Sequence, residues 1–159
     1  MTEVAYRDEN EIREVVAKFE RCDFILAEFT HARHLTVACW YLSTLPSEQA
    51  LERMRRGLQS FIAHHGKLGY HETITRFWIE LLANYLCQCP QDATLISQVN
   101  GALQQFANKD VLFSYYSRDR VMSDAARASW IESDLRPISS GGSTTPEFER
   151  ILEVLTEQS

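Results

Sequence analysis

Apolar residues in this chain recur every three or four positions, and no stretch alternates with period two. Ile12, Val15, Val16 and Phe19 mark one face of a helix over Glu9–Glu20, after a start (residues 1–8) that reads as frayed. A second helix is expected from Phe24 to Ser43, with Phe24, Ala27, His31, Leu35, Ala38 and Leu42 as its inner stripe. Leu45-Pro46-Ser47 breaks the chain, and Ser47 reads as the N-cap of a third helix over Glu48–His65. Leu51, Met54, Leu58, Phe61 and Ile62 point inward from it, and His64-His65 suits its negative end.

After the turn Gly66-Lys67-Leu68-Gly69, a fourth helix starts near Tyr70 or His71 and stops before Pro90. Its expected stripe is His71, Ile74, Trp78, Leu81, Leu82 and Tyr85. A fifth runs from an Asp92 cap to Ala107, carrying Leu95, Ile96, Val99, Leu103 and Phe106. Asp110 and Ser123 are expected to cap two short helices reaching Tyr116 and Trp130. The pattern predicts an all-α protein, an antiparallel four- to five-helix bundle with short irregular helical pieces. The expected organisation is one bundle domain over 1–138, a Ser/Gly/Thr linker at 139–146 and a detached helix at 147–159.

The charge balance, 16 Lys and Arg against 22 Asp and Glu, gives a net charge of -6 and argues against nucleic acid as a partner. The Arg53-Met54-Arg55-Arg56 patch reads as a solvated face beside Glu52. No run approaches the length of a membrane span and the start does not read as an export signal. The expectation is a cytoplasmic protein without a membrane partner. Cys22, Cys39, Cys87 and Cys89 are then free thiols, with Cys39 and Cys87 as small core residues. A phosphate loop and a dinucleotide fingerprint are both missing from the sequence, so no nucleotide cofactor is expected.

One asymmetry stands out. His31, His34, His64, His65 and His71 all fall within positions 31–71. His31 lies on the inner stripe of helix two with His34 at its edge, and Glu28-x-x-His31 repeats the spacing of His31-x-x-His34. His71 begins the stripe of helix four, followed by Glu72. Imidazoles and a carboxylate converging from two helices suit a divalent ion such as Fe, Mn or Zn, with His34, His71 and His31 as ligands. Only one Glu-x-x-His occurs, which argues against a complete di-iron site. In this reading Glu72 is a fourth ligand or general base and His31 shares the catalytic work. The same residues also suit metal-free acid–base chemistry, because an imidazole titrates near neutrality.

A second dense stretch, residues 113–136, carries Tyr115, Tyr116, Arg118, Arg120, Arg127, Trp130 and Arg136. Arg120, Arg127 and Tyr116, with Trp78 from helix four, are the candidates to hold an anionic small molecule. The structural alternative is that Arg120 and Arg127 form salt bridges to Asp124, Glu132 or Asp134 and tie this segment to the bundle.

Three strings occur in order: His31-x-x-His34-Leu35; Tyr70-His71-Glu72-Thr73-x-Thr75-x-x-Trp78; and Tyr115-Tyr116-Ser117-x-x-Arg120 continuing through Arg127 and Trp130 to Asp134-Leu135. Together they resemble a family of small, mostly helical, uncharacterised bacterial proteins. The resemblance spans roughly residues 24–138 and implies no activity. It joins the two unusual stretches in one pattern. The leading expectation is a small metal-dependent enzyme acting on an anionic small molecule, by hydrolysis or oxygenation. The rivals are a metal-free His/Glu acid–base enzyme, performing dehydration or isomerisation, and a non-catalytic accessory protein. The last would use its acidic surface and C-terminal helix to dock on a protein partner or form a homodimer.

Overall fold

The computed structural model describes residues 5–138, and every regular element among them is helical. The expected linker and C-terminal helix lie outside the described residues. Five longer helices are α1 (Glu9–Glu20), α2 (His31–Thr44), α3 (Ser47–His64), α4 (Glu72–Gln88) and α5 (Leu95–Gln105). Three short ones follow: α6 (Leu112–Tyr115), α7 (Arg118–Val121) and α8 (Asp124–Ala128). No described helix is long and apolar enough to cross a membrane.

Local chemistry accounts for most of the boundaries. Asp8 and Glu11 form a reciprocal capping box at the start of α1. Thr30 caps α2, accepting the Arg33 N–H, and Thr94 caps α5. Ser123 caps α8 through Ala126 N–H, as its position predicts.

Other boundaries differ from expectation. Helix α2 begins at His31 rather than Phe24, because residues 24–30 turn through a single 3-10 turn at Leu26–Glu28. That turn buries Phe24 and leaves Ile25 and Leu26 exposed. Pro46, not Ser47, precedes α3, and no side chain caps it. Thr94 replaces Asp92, and Asn108 replaces Asp110, as the capping residue. Cys39 is buried as expected, but Cys87 is exposed. The stretch from residue 5 is not frayed: Asn100 exchanges two hydrogen bonds with the backbone of Tyr6, and the Tyr6 hydroxyl meets Thr36 at 3.0 Å.

Helix α2 packs against α1, α3, α4 and α5, and α4 packs against α2, α3, α5 and α8. These two are the centre of the bundle. Their buried residues therefore run around the helix: Leu35, Thr36, Val37, Ala38 and Cys39 are all buried in α2. The outer helices α1 and α3 keep a one-sided stripe, with Ile12, Val16 and Phe19 facing Met54 and Phe61 inside. Phe19 stacks on Phe29 at 4.7 Å, fixing the pre-α2 turn against α1. The short helices α7 and α8 pack together, and α8 packs on α4.

Candidate functional site

The five histidines do not share one point. Three of them bond to backbone carbonyls of three different segments. His31 Nε2 lies 2.9 Å from the Phe106 carbonyl oxygen at the end of α5. His65 Nε2 lies 2.9 Å from the Phe24 oxygen, and His71 Nε2 lies 2.6 Å from the Val121 oxygen at the end of α7. A carbonyl only accepts, so in each ring Nε2 carries the proton.

His71 is spent on structure. It is the N-cap of α4, and its Nδ1 accepts the Ile74 N–H at 3.1 Å. Both nitrogens are engaged and the ring is buried, which leaves no lone pair for a metal. Burial, opposed by the Val121 bond, holds its pKa below the usual histidine value.

Glu72 is equally committed. Arg55 Nε donates to its Oε1 at 2.8 Å and Arg55 Nη2 to its Oε2 at 2.6 Å, and the Tyr70 hydroxyl adds 2.7 Å to Oε1. The Arg55 bonds, more than its burial, set the Glu72 pKa below the ordinary carboxylate value. A carboxylate so stabilised is a poor general base. His34 packs edge-on to Phe29, and burial beside His31 lowers its pKa to about 4. Glu28 turns back to accept the Ile25 N–H. Among the described residues no three His, Cys, Asp or Glu side chains come together in a way that could hold a metal ion. Of the residues expected to bind a metal, His71 has both ring nitrogens hydrogen-bonded and Glu72 has both oxygens accepting, while His31 is bonded through Nε2 alone.

The expected substrate residues also separate. The Tyr116 ring is fully buried and its hydroxyl donates to the Ile131 oxygen. Arg120 Nε donates to the Glu132 oxygen at 2.7 Å, the tying role foreseen for it but through a backbone carbonyl. Trp78 is buried with its ring edge-on to His31 at 4.8 Å. Arg127 makes no ion pair among the described residues. It lines an open recess of about 630 Å³ with Arg55, Glu72, Asp124 and Trp130. The structure thus brings Glu72 and Arg127 to one recess, while His31 faces another.

That second recess, about 990 Å³, lies between α2 and α5. Leu35, Ala32 and Leu103 give it an apolar wall, and His31, Gln104 and Lys109 give it a polar one. His31 Nδ1 has no partner among the described residues. Burial first, then the positive charge of Lys109, lowers the His31 pKa, against the Phe106 bond that raises it. The ring is neutral at pH 7, with its tautomer set by Phe106 and its lone pair on Nδ1. Lys109 had no signal in the sequence, where it is one lysine in a polar loop. Cys39 offers no nucleophile: burial pushes its thiol to about 12.

Among known proteins, no family model, no curated protein and no solved structure matches this chain.

Proposed function

We propose that the α2–α5 recess binds a small anionic molecule with an apolar body, and that His31 acts there as a metal-free acid–base group. One observation carries this reading: an imidazole is locked by Phe106 into the tautomer that leaves Nδ1 bare, at the wall of a mostly apolar recess. Lys109 is the cation available to pair with the ligand's carboxylate. The chemistry that suits this pair is removal of a proton from carbon next to a carbonyl. The C–H proton goes to His31 Nδ1 and its electron pair forms an enolate beside the Lys109 charge. Return of the proton to the neighbouring carbon is an isomerisation. Its delivery to a departing β-hydroxyl, released as water, is a dehydration.

The test needs no knowledge of the natural substrate. The protein is incubated in D₂O with a panel of small hydroxy and oxo carboxylic acids, and exchange of carbon-bound hydrogen is followed by NMR. Exchange is expected with at least one acid. His31→Gln, which keeps a donor toward Phe106, should abolish it, and Lys109→Gln should weaken binding. No exchange with any acid, or undiminished exchange in a folded His31→Gln protein, overturns the proposal.

A further inference from the structure

We infer that Thr2-Glu3-Val4 of this chain is a built-in competitor for the α2–α5 recess, with Glu3 pairing to Lys109 and Val4 covering the apolar wall, an assignment that rests on the reading of this recess as an anion site. Residues 1–4 lie outside the described residues. The chain that follows them is firmly placed. The Tyr6 N–H donates to Asn100 Oδ1 at 2.8 Å, and the Tyr6 carbonyl oxygen accepts from Asn100 Nδ2 at 3.0 Å. One carboxamide thus holds a whole backbone unit, with its donor and its acceptor both used. The Thr36 hydroxyl donates to the Ala32 oxygen, so the Tyr6 hydroxyl, 3.0 Å away, donates to Thr36. Tyr6 is therefore fixed to α5 by its backbone and to α2 by its ring, and it is only 7% exposed. Ala5, the residue before it, lines the recess together with Asn100 and Ala32.

Reach and charge identify the occupant. Three extended residues span about 10 Å at about 3.3 Å each, and a recess of about 990 Å³ is about 10 Å across. Lys109 lines that recess and makes no ion pair among the described residues. Glu3 brings a carboxylate within the same reach. Val4, next to it, brings a branched apolar side chain that suits Ala32, Leu35 and Leu103. A carboxylate beside an apolar group is also the chemistry of the external ligand proposed for this recess, so segment and ligand exclude each other at Lys109. A short tether keeps the segment at an effective concentration in the millimolar range. Weak anions are then turned away, and the recess fills only above a threshold of ligand.

Zero-length carbodiimide coupling of the full chain tests the contact with no ligand present. It joins the Glu3 carboxyl carbon to Lys109 Nζ as an amide, and the spent reagent leaves as a urea. Digestion and mass spectrometry of mixed isotope-labelled and unlabelled protein should find that link within single chains. Asn100→Ala, which frees Tyr6, should reduce its yield. The probe for competition is 4-phenylbutyrate, followed by NMR of the Leu35 and Leu103 methyl groups. Its affinity should rise about threefold or more in Val4→Ser, as for an open state that is a third or less of the wild-type population. That substitution changes no charge, so it separates displacement from loss of a repelling carboxylate. Glu3→Gln should raise the affinity too, but not in a Lys109→Gln background. Absence of the Glu3–Lys109 link overturns the inference. A link found only between chains overturns it as well, since the occupant is then a second copy. So does unchanged probe affinity in Val4→Ser. Hydrogen exchange at carbon is a separate readout: its absence with the link present ends the acid–base reading and leaves the competitor in place.

Discussion

The Nε2 of His71 lies 2.6 Å from the Val121 oxygen while its Nδ1 accepts the Ile74 N–H, so one neutral imidazole both caps α4 and ties it to α7. The two bonds are separable by substitution. His71→Ala loses the cap, about 1 kcal/mol, and strands a carbonyl acceptor, about 1–3 kcal/mol. His71→Asn restores a capping oxygen and should recover about 1 kcal/mol of that loss. Urea unfolding of the two variants checks the order; equal losses would mean that the cap contributes nothing.

Acid should destabilise the fold well above the carboxylate range. Folded-state pKa values of His31, His34 and His71 all lie below 6.5, so the unfolded chain takes up protons first. The stability they contribute is present above pH 6.5 and is lost as pH falls through each folded value, about 4 for His34. At about 1.4 kcal/mol per pH unit, His34 contributes at most about 3.5 kcal/mol over the whole window. Unfolding free energies between pH 8 and pH 4 should decline over this window, and His34→Phe should flatten the decline. A slope unchanged in that variant would remove His34 from the account.

The Arg55–Glu72 pair is half-sheltered, its side chains 29% and 14% exposed, so solvent screens it less than a surface pair. Glu72→Gln should cost about 2 kcal/mol by leaving the guanidinium short of an acceptor. Replacing both residues by Met should recover part of that loss. A double-substitution cycle read by thermal unfolding measures the coupling, which would be near zero if the pair were ornamental.

Gly57 faces the Phe19 ring across α1 and α3. A Cβ there would sit 2.5 Å and 2.8 Å from two ring carbons of a fully buried side chain. Overpacking of this kind costs about 1–3 kcal/mol, against about 1 kcal/mol gained from Ala in a helix. Gly57→Ala should therefore lower Tm despite its better propensity; an increase would show that Phe19 can shift.

Outer and central helices were not equally legible. The stripes of α1 and α3 are readable because each buries a single face: Ile12, Val16 and Phe19 fall where the spacing puts them. Helix α4 is enclosed by α2, α3, α5 and α8, so Thr73, Thr75, Phe77, Ile79 and Asn84 are buried beside the expected Trp78, Leu81 and Leu82. No periodic rule marks such residues. The early start expected for α2 failed for a related reason: Phe24 is buried by its contacts, with Phe29 at 6.0 Å, and not by lying on a helix.

Periodicity and capping chemistry, which act over a few residues, were enough to determine an all-helical chain and the approximate extent of its five longer helices. The destination of each imidazole was not written in that pattern. His31, His65 and His71 lie close in sequence, but their partners Phe106, Phe24 and Val121 are 75, 41 and 50 residues away. A ring nitrogen binds whichever unpaired carbonyl the packed helices bring within 3 Å, and helix ends supply such carbonyls wherever the chain leaves its ladder. Only the tertiary arrangement selects among them, which is why neighbours in sequence became three separate ties, with the His31 ring at the wall of a recess.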